Sequence, residues 1–224
     1  SPQYEAEEKI MVNGNVDLYA VVFNRTTETD LTEDQLPQVD IYKYKQVIFV
    51  GDSRTEFMEN VLTGMGESAT KNVKFVCSAG KGLDWFTTTG WAQLYSIVQH
   101  DSNSILSKKT AVIFNFGVND LSKSADYAEY YNWIAPQLKS KGCELYFMSV
   151  NPVNRLMLPN AGRADRSEAA VRSFNQYMKA NLSSAYTYID MYSYLKSTGY
   201  SFASDHYGTG TVDDGLHYTT RTYK

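Results

Sequence analysis

Asp214 and His217, in Asp213-Asp214-Gly215-Leu216-His217 near the carboxyl end, have residue types and a spacing suited to proton transfer. Over three residues, one turn of chain can bring the carboxylate to the far nitrogen of the imidazole. There it would fix the tautomer and steady the imidazolium, leaving the other nitrogen as a general base. Such a base activates a weakly acidic nucleophile, and Ser53 in Val50-Gly51-Asp52-Ser53 is the candidate. A serine hydroxyl attacks an ester only when a base takes its proton. Each residue also has a plainer use: a serine at a strand-to-helix turn is commonly an N-cap, and Asp and His are ordinary in polar loops. His206, in Ser204-Asp205-His206, is the rival base. His100 ends a helix-like stretch, where it would complement the helix dipole.

An attacked carbonyl becomes an oxyanion, which needs donors already in place. Asn119, in Gly117-Val118-Asn119-Asp120, offers a side-chain amide. Gly80, in Ser78-Ala79-Gly80-Lys81-Gly82, offers a backbone N–H where the chain must approach a substrate closely. Both also suit simple turns. The three His and two Cys are scattered without zinc-ligand spacing, and Cys77 and Cys143 read as small core residues.

The elements that must bring these residues together are legible as apolar runs. Val47–Val50, Val73–Cys77, Ala111–Phe116, Leu145–Val150 and Tyr186–Ile189 read as strands. Helical segments are expected at Thr55–Leu62, Trp91–Gln99, about Ser122–Ser140 and Arg166–Leu182, with 83–99 mixed and 151–164 irregular. Alternating buried strands and helices imply a parallel sheet covered on both faces. In such a sheet, ligands bind beyond the carboxyl ends of the strands, where Ser53, Gly80 and Asn119 fall.

The joint order of Gly-Asp-Ser after the first strand, a Gly loop after the second, Gly-x-Asn-Asp after the third and Asp-x-x-His near the end resembles the SGNH (GDSL-type) hydrolase family. The likeness covers roughly residues 46–224. It implies an α/β fold, a flavodoxin-like three-layer αβα sandwich with a five-stranded parallel sheet of order 2-1-3-4-5. It also implies a serine esterase mechanism with no metal or cofactor. On this likeness Ser53, His217 and Asp214 are catalytic, and Ser53, Gly80 and Asn119 form the oxyanion hole, with Gly82 as the alternative glycine. Arg54 stands where the family name has Leu, and Tyr218-Thr219-Thr220 come after His217 where many members have Pro or Asn.

The substrate is read from the surroundings. Trp85, with Phe86 and Trp91, is a candidate for stacking on a sugar ring or for plain packing. Arg54 is a candidate for holding an acidic group, and Arg155 and Arg163 lie on the loop after the fourth strand. On the same loop Leu156, Met157 and Leu158 could border an acyl pocket or close the core. Small acyl esters of carbohydrate, acetyl foremost, are the expected substrates. The alternatives are an O-acyltransferase acting on cell-envelope polysaccharide, or a non-catalytic glycan-binding module on the same fold.

The 224 residues suit one domain of ordinary size, and 43% hydrophobic content argues against disorder. Lys plus Arg is 21 and Asp plus Glu is 25, a net charge of −4 that argues against a basic nucleic-acid-binding surface. No apolar run is long enough for a membrane span. Residues 1–40 are expected to form an N-terminal extension with a β-hairpin around Asn13-Gly14-Asn15, and residues 41–224 the hydrolase domain. The 18 Tyr, the scarce Cys and the start at Ser1 suggest an exported, processed bacterial protein, extracellular or on the cell surface. The end at Lys224 is expected to fall within a last helix.

Overall fold

The computed structural model describes residues 44–66, 71–101, 109–158, 166–202 and 213–223. The hairpin expected within residues 1–40, together with His206 and Arg163, lies outside them.

Five strands form the sheet: β1 (Tyr44–Gly51), β2 (Val73–Cys77), β3 (Lys109–Asn115), β4 (Cys143–Met148) and β5 (Tyr186–Ile189). Their order is β2-β1-β3-β4-β5, and every neighbouring pair is parallel. This is the order that the family resemblance implies. The helices are α1 (Ser53–Gly64), α2 (Trp91–Asp101), α3 (Ser124–Ser140), α4 (Glu168–Asn181), α5 (Met191–Thr198) and α6 (Thr220–Tyr223). A helical turn at Leu83–Trp85 and a more widely wound one at Phe86–Gly90 lead into α2, so most of the stretch expected to be mixed is helical. Sequence patterning also misses α5, an eight-residue helix whose N-cap Asp190 accepts a hydrogen bond from the Ser193 N–H.

Successive residues of a strand point to opposite faces. One face of the sheet presents Ile48, Val50, Val112, Phe114, Leu145 and Phe147, packed with Leu94 and Val98 of α2, Tyr131 and Ile134 of α3, and Val171 and Phe174 of α4. The other face holds a smaller cluster around Tyr44, Val47, Ala111 and Ile113. Burying each large side chain contributes roughly 1.5–3 kcal/mol, which is what fixes the strand register. Both cysteines are free. Cys143 is buried in the main core, as expected, whereas Cys77 is half-buried and its thiol donates to Glu59 Oε2 at 3.3 Å.

This packing brings the useful loops together. Gly51 at the end of β1 is in register with Cys77 of β2 on one side and Asn115 of β3 on the other. The turn carrying Ser53 is therefore flanked by the Gly80 loop and the Asn119 loop. Gly117 makes the second loop possible. Its φ of +132° is a glycine conformation, and a Cβ there would lie 2.6 Å from the Phe174 ring. Among the described residues no helix is long and apolar enough to cross a membrane.

Candidate active site

The turn after β1 assigns its residues differently from the simplest sequence reading. Asp52, not Ser53, is the N-cap of α1: its Oδ1 accepts from the Arg54 N–H at 3.0 Å. Ser53 is thus the first helical residue. Its hydroxyl is not used for capping, and it sits where backbone N–H groups lack intrahelical partners. The hydroxyl oxygen lies 2.8 Å from His217 Nε2, and His217 Nδ1 lies 2.6 Å from Asp214 Oδ2. Ser53, His217 and Asp214 are all buried, the last completely.

Asp214 is held from several directions. Its Oδ1 accepts from the N–H groups of Leu216 and His217 at 2.9 and 2.8 Å. Burial would push the carboxyl up, but the His217 ring and these N–H groups hold it down to about 2. It therefore stays ionised over the ordinary range and accepts a proton-bearing Nδ1, which leaves the Nε2 lone pair facing Ser53. Phe57, one helical turn beyond Ser53, stacks its ring on the imidazole at 4.1 Å between centroids and 10° between planes. It fixes the plane in which that lone pair points.

Arg54 does not have the position expected of a substrate contact. It is 3% exposed. Its guanidinium donates to the carbonyls of Leu216 (3.0 Å), Asn151 (2.8 Å) and Pro152 (2.8 Å) and lies over the Tyr218 ring. The side chain ties the Ser53 turn to the loop after β4 and to the residue preceding His217. The same two loops are joined again where Asn154 N–H donates to the Gly215 carbonyl (2.9 Å) and Tyr218 Oη–H to the Pro152 carbonyl (2.6 Å). Gly215 has a φ of +72°, and a Cβ there would lie 2.3 Å from the Asn154 carbonyl oxygen, so the contact requires glycine. Burial pushes the neighbouring Asp52 carboxyl up to about 6, against the pull of the Arg54 cation and its N–H.

The candidate oxyanion donors sit on either side. Gly80 is exposed, with a φ of +69°, and a Cβ there would meet nothing within 4 Å. Glu56, on the first turn of α1, accepts from the Ala79 N–H at 2.7 Å and so anchors that loop beside Ser53. Gly82 has a different task. A Cβ there would lie 2.3 Å from Asp120 Oδ2, which accepts from the Leu83 N–H at 2.9 Å, while Asp120 Oδ1 accepts from Tyr127 at 2.7 Å. Asn119 is half-buried, and its Nδ2 donates to the Lys81 carbonyl at 2.8 Å, joining the loops after β2 and β3. Its Oδ1 accepts from Arg166 Nη2 at 2.9 Å.

Trp85 is half-buried and packs on the core, 6.1 Å from the Phe116 ring and against Gly90. Leu158 is fully buried, whereas Arg155 is exposed and Leu156 is 65% exposed. Residue types alone do not single out Phe57, Glu56, Asp120 or Arg166. Of these only Asp120 lies inside a recognisable motif. Among the described residues no cluster of three His, Cys, Asp or Glu side chains is placed to hold a metal ion.

No model of a known family matches the sequence, and no curated protein is significantly similar to it. Solved structures are similar in fold. A protein of Slackia heliotrinireducens described as an SGNH hydrolase superposes with a TM-score of 0.54 at 13% identity, covering 80% of this chain and 93% of that one. An acetyl xylan esterase superposes with a TM-score of 0.53, also at 13% identity and with the same coverage of the two chains. The chain has the fold of the SGNH hydrolases.

This geometry has two measurable consequences. Arg54→Lys supplies one ammonium where a planar fork met three carbonyls. It should cost roughly 2–4 kcal/mol in urea unfolding, and an unchanged midpoint would contradict the clamp. Asp214, held below its unfolded value, contributes stability that is present above about pH 4 and lost as pH falls through about 2. The stability gap between the wild type and Asp214→Asn should therefore narrow by roughly 2 kcal/mol between pH 4 and pH 2. The titration of Asp52 is common to both proteins and cancels in this difference. A gap independent of pH would contradict the assignment.

Proposed function

We propose that the protein is a serine-dependent esterase that hydrolyses small acyl esters, acetyl foremost, on carbohydrate or cell-envelope glycan. The observation that carries the reading is the unbroken path from Asp214 through His217 to the Ser53 hydroxyl, with both hydrogen bonds at 2.8 Å or less. Binding a glycan would not require a buried base against a serine hydroxyl, so this contact favours catalysis over a binding module. The fold shared with an acetyl xylan esterase supports the acyl and substrate class.

His217 Nε2 takes the proton of Ser53 as Oγ attacks the ester carbonyl carbon. The carbonyl oxygen becomes an oxyanion, accepting from the N–H groups of Ser53 and Gly80 and from Asn119 Nδ2. The C–O bond to the alcohol then breaks, and the imidazolium gives its proton to the leaving oxygen. Water enters and His217 takes a proton from it. The hydroxide attacks the acyl-enzyme, and collapse of the second tetrahedral intermediate returns the proton to Ser53. Asp214 remains a carboxylate throughout and balances the imidazolium charge.

The test is acyl release from acetylated xylan, mannan and peptidoglycan, alongside nitrophenyl esters of increasing chain length. The expected result is preference for acetyl over long acyl chains and loss of at least about 10³-fold in kcat with Ser53→Ala. A Ser53→Ala protein retaining the wild-type rate would overturn the serine mechanism. A preference for long chains would overturn the small-acyl reading alone. Transfer to an added glycan acceptor that outpaces hydrolysis would redirect the same chemistry to acyl transfer.

A further inference from the structure

We infer that Arg166 is a positioning residue for the oxyanion site, setting the direction in which the Asn119 amide presents its N–H groups. The inference rests on the esterase reading and concerns how one of its donors is held.

Arg166 stands just before α4, whose N-cap Ser167 accepts from the Ala170 N–H at 3.0 Å. From there its side chain crosses to the loop after β3. Nε donates to the Val118 carbonyl at 2.6 Å, and Nη2 donates to Asn119 Oδ1 at 2.9 Å. On its other side Asn119 Nδ2 donates to the Lys81 carbonyl at 2.8 Å. A guanidinium only donates and a carbonyl only accepts. These two partners therefore fix the amide in one sense. Turning it over would set NH₂ against a cation and oxygen against a carbonyl oxygen, losing both bonds.

Nδ2 carries two hydrogens, and the Lys81 carbonyl takes one. The second is the one that the esterase reading gives to the oxyanion. A cation bonded to Oδ1 also draws electron density through the amide and sharpens the donor strength of Nδ2–H, as charge-assisted networks do. At Asp52, which precedes Ser53, burial raises the proton affinity and the Arg166 charge pulls weakly the other way, behind Arg54. Arg166 thus contributes orientation and field to the developing negative charge without touching the substrate.

The experiment is a double-mutant cycle on nitrophenyl acetate hydrolysis with Arg166→Met, Asn119→Ala and the double variant, with Arg166→Lys as a fourth protein. Asn119→Ala should lower kcat by about 10²–10³-fold, as for loss of an oxyanion donor. Arg166→Met should lower kcat by about 10–100-fold with KM changed less than about threefold, because the contact matters only once charge develops. In the Asn119→Ala background, Arg166→Met should then have an effect below about threefold. Arg166→Lys, which keeps the charge but not the fork, should fall between the wild type and Arg166→Met. Equal fold-losses from Arg166→Met in both backgrounds, or none in either, would overturn the inference. If Arg166→Met does not fold, Arg166→Lys is carried through the same cycle and read in the same way. A fully active Asn119→Ala would instead remove Asn119 from the proposed donor set, and an active Ser53→Ala would remove the esterase reading itself.

Discussion

The geometry of this site depends on one buried cation. Arg54 is almost fully buried, and three backbone carbonyls from two distant segments accept from its guanidinium. A charge this deep is costly unless its donors are satisfied, so the Leu216, Asn151 and Pro152 carbonyls are held as firmly as they hold Arg54. Because Arg54 adjoins Ser53 and Leu216 adjoins His217, the clamp fixes the distance between the Ser53 hydroxyl and the His217 imidazole. The loop after β4 is the common anchor, which Tyr218 and Asn154 engage a second time.

The sheet supplies the other constraint. With β1 between β2 and β3, the two flanking loops have only the Ser53 turn between them. Asn119 bonding to Lys81, Glu56 bonding to Ala79 and Asp120 bonding to Leu83 lock that arrangement. Ser53 stands on the first turn of α1, and the loops carrying Gly80, Asn119 and His217 are each tied to a neighbouring segment by such bonds, the preorganisation that the proposed chemistry needs.

The sheet is readable from sequence because its strands are mainly apolar runs, although their ends move: β1 begins at Tyr44 and takes in Gly51, β3 begins at Lys109 and stops short of Phe116, and β4 is Cys143–Met148 rather than Leu145–Val150. Ser53, Asp214 and His217, which the structure brings into hydrogen-bond contact, stand out in the sequence because their types carry chemistry and their order matches a known pattern. Arg54 is misread because its partners are backbone carbonyls 97 to 162 residues away, which leave no trace in local patterning. Arg166 is hidden for the same reason, acting across 47 residues on Asn119. The N-cap falls one residue from Ser53 because Asp and Ser both cap well, and only the backbone geometry decides between them. Helix α5 spans barely two turns, too few for an apolar period to stand out beside β5.

The proposed chemistry turns on Ser53 as a nucleophile whose proton His217 takes. It is tested most directly by labelling the folded protein with a fluorophosphonate and mapping the adduct by mass spectrometry. One stoichiometric adduct on Ser53 is expected, formed at least about 10²-fold more slowly in His217→Ala. An adduct on another residue, or labelling of Ser53 at the same rate without the imidazole, would contradict it.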